Sequence, residues 1–411
     1  MRTGRDLQSG TGVDVLEVGT RPSRGASTPC AKQNGKSAKP KKQASPAPAP
    51  TATETPAPGS LPVLYMLSPQ KFMSPFDCNM ALDSGYKVVL PYDGVEVGDV
   101  GALVQDAIFS RPPKANTGIF IGGKDIKVAL DMMAAARAAM VPPFEVSVFA
   151  DPGGSFTTAA AMVASVERVL HTSFGRGLKG LRLSVFGAMG VVGFASAVIA
   201  AEQGAKVRIV AHDDMAPLVA LAAWAKTRFG VTLEPVAGQT DALKAKILAT
   251  SDAAFTAGPA GVNILPRRMI GRVPRLLVVA DVNAVAPYGI EGMDLFMNGV
   301  PLPGCSTLGV GALAIGDVKY KTQAGLFRRM RGASEPLDLD FRDAFVLARE
   351  IVAEPRTGEI VAEPRGGELV AEPRSKNRTK PRSAKTPAGV HPVARAAKRR
   401  APNKQRRRAT A

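Results

Sequence analysis

The chain has 411 residues, 45% of them hydrophobic, and a formal net charge of +18, a length that suggests two or three domains with ample apolar content for a core. The charge sits at the ends: residues 1–60 carry 9 basic against 4 acidic side chains and residues 375–411 carry 13 against none, so 61–374 is neutral and the excess says nothing about an active site. Cys30, Cys78 and Cys305 lie far apart, as do His171, His212 and His391, which argues against a disulfide framework or a metal centre. No apolar run approaches a membrane span, so a cytoplasmic protein in a reducing compartment is expected.

Residues 1–60 are Gly-, Ser- and Lys-rich and then Pro/Ala/Thr-rich, and cannot bury enough apolar surface to order themselves; they read as a disordered extension. The first folded domain is expected over 61–174. LPVLYML and YKVVLPYDG give two strands joined by a loop, MSPFDCNMALDSG. Val100 to Phe109 then reads as a helix, Thr117 to Ile121 as a strand, 125–140 as an Ala- and Met-rich helix, and FEVSVFAD at 144–151 as another strand. Met132 and Met133 are expected in the core. PGGSFTT leads into a helix over about 159–170. Asp151, at the carboxyl end of a strand and ahead of a glycine turn, stands where open α/β sheets hold ligands, and where acids also cap turns; both roles fit.

Residues 181–213 organise the second domain, expected over 175–325. A β-rich run, LRLSVF, meets Gly187, Gly190 and Gly193, a helix follows to Gln203, Gly204 terminates it, and a short strand ends at His212 and Asp213. A pyrophosphate can approach the amides of a helix N-terminus only where no side chain intervenes, and Gly190 and Gly193 give that clearance. Tight helix-on-sheet packing is the alternative. The usual G-x-G-x-x-G is altered here, with Ala188 at its first glycine position. The turn Gly187, Ala188, Met189, Gly190, Val191, Val192 and Gly193 is the expected dinucleotide site, with an acid after the second strand.

Further on, 216–229 reads as a helix in which Trp224 packs. DAAFTAG and LLVVADVNA read as strands whose ends, at Thr256, Gly258, Asp281 and Asn283, fall on the carboxyl edge beside the nucleotide. Gly309, Gly311 and Gly316 break a run ending in Asp317, Lys319 and Lys321. A closing helix is expected within 326–355, with Phe341, Phe345, Ala348 and Val352 on one face and Pro355 ending it. EIVAEPR then recurs at 350–356 and 359–365, and ELVAEPR at 368–374, so 356–411 reads as repeated linker followed by a disordered basic tail. KRR at 398–400 and RRR at 406–408 point to weak contact with nucleic acid or another polyanion.

Several strings in one order resemble the NAD(P)-dependent methylenetetrahydromethanopterin dehydrogenase family over roughly 61–355. They include SPFDCNMALDSGY, PYDGVE, LVQDAIFSRPP, GIFIGGKD, MVPPFEVSVFADPGGSFTTAAAMV, FGAMGVVG, FTAGPAGV, VADVNAVAPYGIEG and LGVGALAIGDVKYK. The resemblance implies an α/β fold of two domains: an N-terminal α/β domain on the pterin side, completed by the C-terminal helix, and a Rossmann-type parallel-sheet domain for NAD or NADP. The active site would lie in the cleft between them. It also implies hydride transfer from the methylene bridge of the reduced pterin, in one-carbon (formaldehyde) oxidation. The resulting methenyl cation is delocalised over two nitrogens, so no proton has to be removed and the enzyme's work is mainly positioning.

By the same resemblance Lys319 is the catalytic lysine, with Lys321 the adjacent alternative, and Asp93, Asp151 and Thr157 lie on the pterin side. Gly187, Gly190 and Gly193 match the pyrophosphate turn, and Thr256, Gly258, Asp281 and Asn283 match loops near the nicotinamide. His212 and Asp213 stand where a basic residue would favour NADP. An acid there accepts from both ribose hydroxyls and repels a 2′-phosphate, so NAD is favoured. The family forms oligomers, and a homo-oligomer is expected. The alternatives are a methylenetetrahydrofolate dehydrogenase and an inactive nucleotide-binding protein whose basic tails bind nucleic acid.

Overall fold

A computed structural model describes residues 59–113 and 116–354; the N-terminal extension, the repeats after 355 and the basic tail lie outside the described residues. In chain order the first half runs β1 (Val63–Ser68), α1 (Pro75–Asp83), β2 (Val88–Asp93), α2 (Val100–Phe109), β3 (Thr117–Ile121), α3 (Ile126–Ala138), β4 (Ser147–Ala150) and α4 (Ser155–Phe174). The second half runs β5 (Arg182–Phe186), α5 (Val191–Glu202), β6 (Lys206–Ala211), α6 (Met215–Phe229), β7 (Leu233–Ala237), α7 (Asp241–Ala249), β8 (Ala253–Thr256), α8 (Arg267–Ile270), β9 (Val278–Asp281), β10 (Asn298–Pro301) and β11 (Leu308–Val310). Then α9 (Ala312–Gly332), β12 (Asp338–Leu339) and α10 (Phe341–Ala353) return to the first half.

Two sheets result. The first has the order β12-β4-β3-β1-β2 with every pair parallel, and the second has the order β10-β11-β9-β8-β5-β6-β7, parallel except for β10 against β11. Strands covered on both faces read as unbroken apolar runs, and β3, β4, β8 and β9 are buried at every position. Met132 and Met133 are buried in this core, and Trp224 packs tilted against Phe194 and edge-on to Phe229, with ring centres 5.2 and 5.5 Å away.

Three segments differ from the sequence expectation. Residues 75–83, expected as loop, form α1: the Ser74 hydroxyl accepts from the Asp77 amide and Pro75 occupies the first turn, a strong start signal in a segment with little amphipathic pattern. The run around Gly316 is not broken, because Gly316 lies inside α9 with open space around it, while Gly311 caps the helix where an added Cβ would meet the Asp294 carbonyl at 2.2 Å. Helix α4 begins at Ser155, directly on the glycine turn, rather than near 159.

The closing helix α10 forms as the apolar spacing predicts. The Asp340 carboxylate caps it by accepting from the Arg342 amide, its own amide donates to Asp343 Oδ2 at 3.0 Å, and Phe341 packs edge-on to Phe156 of α4 and Phe229 of α6. Arg349 adds a two-pronged pair to Glu167 of α4 at 2.6 and 2.7 Å. The last elements of the chain therefore fasten both halves together.

Candidate active site

The nucleotide turn is built for close backbone approach. Gly187 has φ +88°, and a Cβ there would stand 2.5 Å from the Ala257 carbonyl group; one at Gly193 would stand 2.5 Å from the Gly187 oxygen. These two glycines knit the turn to its surroundings. Gly190 is different, since it caps α5 with nothing nearer than 3.5 Å to an added Cβ, and no side chain caps the first amides of that helix. Those amides and the helix dipole suit an anion.

Gly190, at the cap of that helix, lines a cavity of about 760 Å³ together with Gly187, Met189, Asp213, Gly258 and Asn263, a size suited to a small-molecule ligand. Ala188 and His212 also line it. His212 and Asp213 are strongly exposed and 3.7 Å apart. The residues present thus fit a dinucleotide: glycine clearance at the phosphates and an acid at the end of the second strand for the ribose.

Val191, Val192 and Gly193 sit behind the wall as the first turn of α5. Thr256, Asp281 and Asn283 are buried, and they shape the loops rather than line the cavity. The Thr256 hydroxyl donates to Asp281 Oδ1 at 2.8 Å, the Asn283 and Ile290 amides donate to the same carboxylate, and Asn283 Oδ1 accepts from the Val285 amide at 2.9 Å. Burial raises the Asp281 carboxyl above its ordinary value against those donors.

A second constellation lies at the carboxyl edge of the first sheet. Asp151, just past β4, is fully buried: Oδ1 accepts from the Phe156 and Thr157 amides at 2.8 and 3.2 Å, and Oδ2 accepts from the Thr157 hydroxyl at 2.7 Å. Gly153 and Gly154 both adopt left-handed backbone between them, at φ +59° and +67°. A Cβ on Gly154 would stand 3.0 Å from both Cε and Nζ of Lys319, so the lysine lies directly on the turn.

The ammonium of Lys319 stands 4.0 Å from the centre of the Phe76 ring and donates to Gln323 Oε1 at 2.5 Å, while Gln323 Nε2 donates to Asp77 Oδ1 at 2.7 Å. Burial pushes the Asp151 carboxyl up to about 6, helped by the Asp77 charge and opposed by Lys319. Burial likewise raises Asp77 and lowers Lys319, with the two carboxylates holding the lysine charge in place.

Sequence reasoning singled out Lys319, Asp151 and Thr157, and the structure brings them together. Asp151 and Thr157 have no exposed surface, and they brace the turn on which Lys319 lies. Lys321 points away, half-exposed and paired with Asp317 at 2.8 Å. Asp93 is exposed at the end of β2; nearby, burial raises the Cys78 thiol, with smaller contributions from the charges of Asp77 and Asp93. Asp77, Gln323 and Phe76 were not anticipated. The i,i+4 spacing of Lys319 and Gln323 is the one local hint, and Asp77 is 246 positions from its partner.

Helix α9 ties the two places together. It starts right after β11, at the carboxyl edge of the second sheet, and Lys319 reaches the carboxyl edge of the first about 10 Å further along it. Among the described residues, no helix is long and apolar enough to cross a membrane, and no group of His, Cys, Asp and Glu side chains could hold a metal ion.

Residues 75–153 match the family described as methylene-tetrahydromethanopterin dehydrogenase, N-terminal. The chain is 50% identical over 291 residues to an NAD(P)-dependent methylenetetrahydromethanopterin dehydrogenase of Methylorubrum extorquens, covering 70% of this chain and 98% of that one. It is 31% identical, with the same coverage, to the bifunctional protein MdtA of that organism. Among solved structures, shikimate 5-dehydrogenase from Listeria monocytogenes aligns with a TM-score of 0.40 and 14% identity over 71% of this chain and 96% of that one. Half of all positions shared over nearly the whole of the first relative, on a fold with a fitted dinucleotide turn, establish that the chain belongs to the methylenetetrahydromethanopterin dehydrogenase family.

Proposed function

We propose that this chain, as an NAD(P)-dependent methylenetetrahydromethanopterin dehydrogenase, oxidises the methylene bridge of its pterin in the cleft between the carboxyl edges of the two sheets, with Lys319 as the residue that touches the substrate. The observation that carries the reading is α9, which leaves the nucleotide sheet and lays Lys319 on the Gly154 turn of the other. NAD(P)+, when bound, accepts the hydride. The protein's own groups do the rest. The glycine turn and the first amides of α5 hold the pyrophosphate. Gly258 and the loops braced by Asp281 and Asn283 shape the nicotinamide end, and Asp213 takes the ribose hydroxyls, favouring NAD over NADP.

The Lys319 ammonium, screened by Asp77 and Asp151, donates to the pterin and fixes its bridge over the nicotinamide, with Asp93 at the rim. Because the product cation needs no deprotonation, the residues around Lys319 have only to position the pterin. The two sheets serve as pterin-side and nucleotide-side domains, with α10 closing the first. Family resemblance supports a homo-oligomer, and the scattered cysteines support the cytoplasm.

The test is turnover of methylenetetrahydromethanopterin with NAD+ and NADP+, beside methylenetetrahydrofolate, in the native chain and Lys319→Ala. The expected result is turnover of the methanopterin substrate that collapses in the variant while NAD+ affinity is retained. Wild-type rates in the variant would overturn the role of Lys319, and preference for the folate would move the substrate assignment. The basic tail, with 13 positive side chains and no acid over 375–411, supports weak, salt-dependent polyanion contact as a secondary property. Gel retardation lost on deleting 375–411 is its check.

A further inference from the structure

Gln323 is fully buried between two charges of opposite sign. Its amide oxygen accepts from the Lys319 ammonium at 2.5 Å and its amide nitrogen donates to the Asp77 carboxylate at 2.7 Å. The two ends of an amide have the same shape and opposite hydrogen-bonding character. Turned over, this one would set an NH2 against an ammonium and a carbonyl against a carboxylate, both out of water. Asp77 therefore fixes the orientation, and Asp77 is itself fixed by the Ser74 cap at the start of α1. With Gln323 on one side, the Phe76 ring on another and the Gly154 turn beneath, the nitrogen of a long flexible side chain is confined to one place.

We propose that Gln323 is the positioning residue for Lys319, and that the Asp77 carboxylate determines which end of its amide faces the lysine. The inference rests on Lys319 touching the substrate, and extends that reading to two residues that meet the ligand only through it.

The experiment uses the full chain in the variants Gln323→Met, Asp77→Asn, their double and Gln323→Glu, with Lys319→Ala alongside. Gln323→Met keeps the length and removes both hydrogen bonds. Its kcat falls roughly 10- to 100-fold with KM for NAD+ unchanged. Asp77→Asn frees the amide to turn and lowers kcat in the same direction. The double variant is no worse than Gln323→Met, because both residues act through one link. Gln323→Glu can still accept from Lys319 but must share a proton with Asp77, with Asp151 and Lys319 the other charged groups around it, so its kcat recovers relative to Gln323→Met as the pH is lowered.

A readout free of turnover is the rate of reductive methylation of Lys319, followed by peptide mass spectrometry, which changes severalfold in Gln323→Met. Wild-type kcat in Gln323→Met with Lys319→Ala inactive would overturn this inference and leave the proposed function standing. So would losses in Gln323→Met and Asp77→Asn that simply multiply in the double. Wild-type turnover in Lys319→Ala would instead sink the reading beneath it, and the methylation rate would still report whether Gln323 holds the lysine.

Discussion

The Thr157 hydroxyl donates to Oδ2 of Asp151 at 2.7 Å, closing a loop of seven residues, 151–157, in which Gly153 and Gly154 both take left-handed backbone. A fully buried carboxylate is thereby held beside Lys319 with its lone pairs in use. Its ionisation is linked to stability.

Burial raises Asp151 from an ordinary 3.8 to about 6. Between those values the folded protein keeps a proton that the unfolded chain has released, so the contribution of this group to stability falls as pH rises from 3.8 to about 6 and is level above. The full difference is about 3 kcal/mol. Chemical denaturation across pH 4–7 should show Asp151→Asn lacking that slope. In the same variant the rise of kcat/KM through about pH 6, as the carboxylate forms and anchors the lysine charge, should vanish.

Gly193→Ala and Gly190→Ala should fail in different ways. An alanine at 193 drives its methyl to 2.5 Å from the Gly187 oxygen and should cost about 1–3 kcal/mol in a thermal melt. At 190 the methyl meets only ordinary contacts and the fold should keep its Tm, while NAD+ affinity measured calorimetrically drops roughly tenfold or more, because the methyl stands at the entrance to the α5 amides. Equal Tm losses in the two would show that both glycines serve packing alone.

Asp213 is exposed at the end of β6, on the cavity wall. Asp213→Ala removes the charge that opposes a 2′-phosphate, so the ratio of kcat/KM for NADP+ over NAD+ should rise by about tenfold. An unchanged ratio would mean that the ribose lies elsewhere.

Phe341 is fully buried, with ring contacts to Phe156 at 5.1 Å and Phe229 at 5.4 Å on opposite halves. Phe341→Ala should lose about 3–5 kcal/mol of unfolding free energy in denaturant titration. Val346→Ala, on the exposed face of the same helix, should lose less than about 1 kcal/mol.

What could be read from the sequence was what local pattern encodes. The glycine turn between β5 and α5 and the apolar stripe of α10 each follow from spacing within a dozen residues. Lys319 and Lys321 could not be separated by string alone, yet helix geometry turns them about 200° apart, one toward Gln323 and one toward Asp317. Helix α1 escaped because Pro75 and Asp83 flank a short segment without clear periodicity, although Ser74-Pro75 is a start signal in its own right. The Asp77–Gln323 contact joins opposite ends of the folded chain and leaves no local trace.

The first sheet is not made from contiguous sequence: its outer strand β12 pairs with β4, and Phe327 of α9 packs on Phe120 and Phe149 beneath it. During synthesis every strand of the second sheet has been made by Val310, before Phe327, Leu339 or Phe341 is added. Until then β4 is an uncovered edge and the turn at Gly154 has no lysine upon it. A polypeptide terminated before Lys319 therefore carries a whole second sheet joined to a half-built first, and the cluster of Asp77, Asp151, Lys319 and Gln323 comes into being only once α9 has been added.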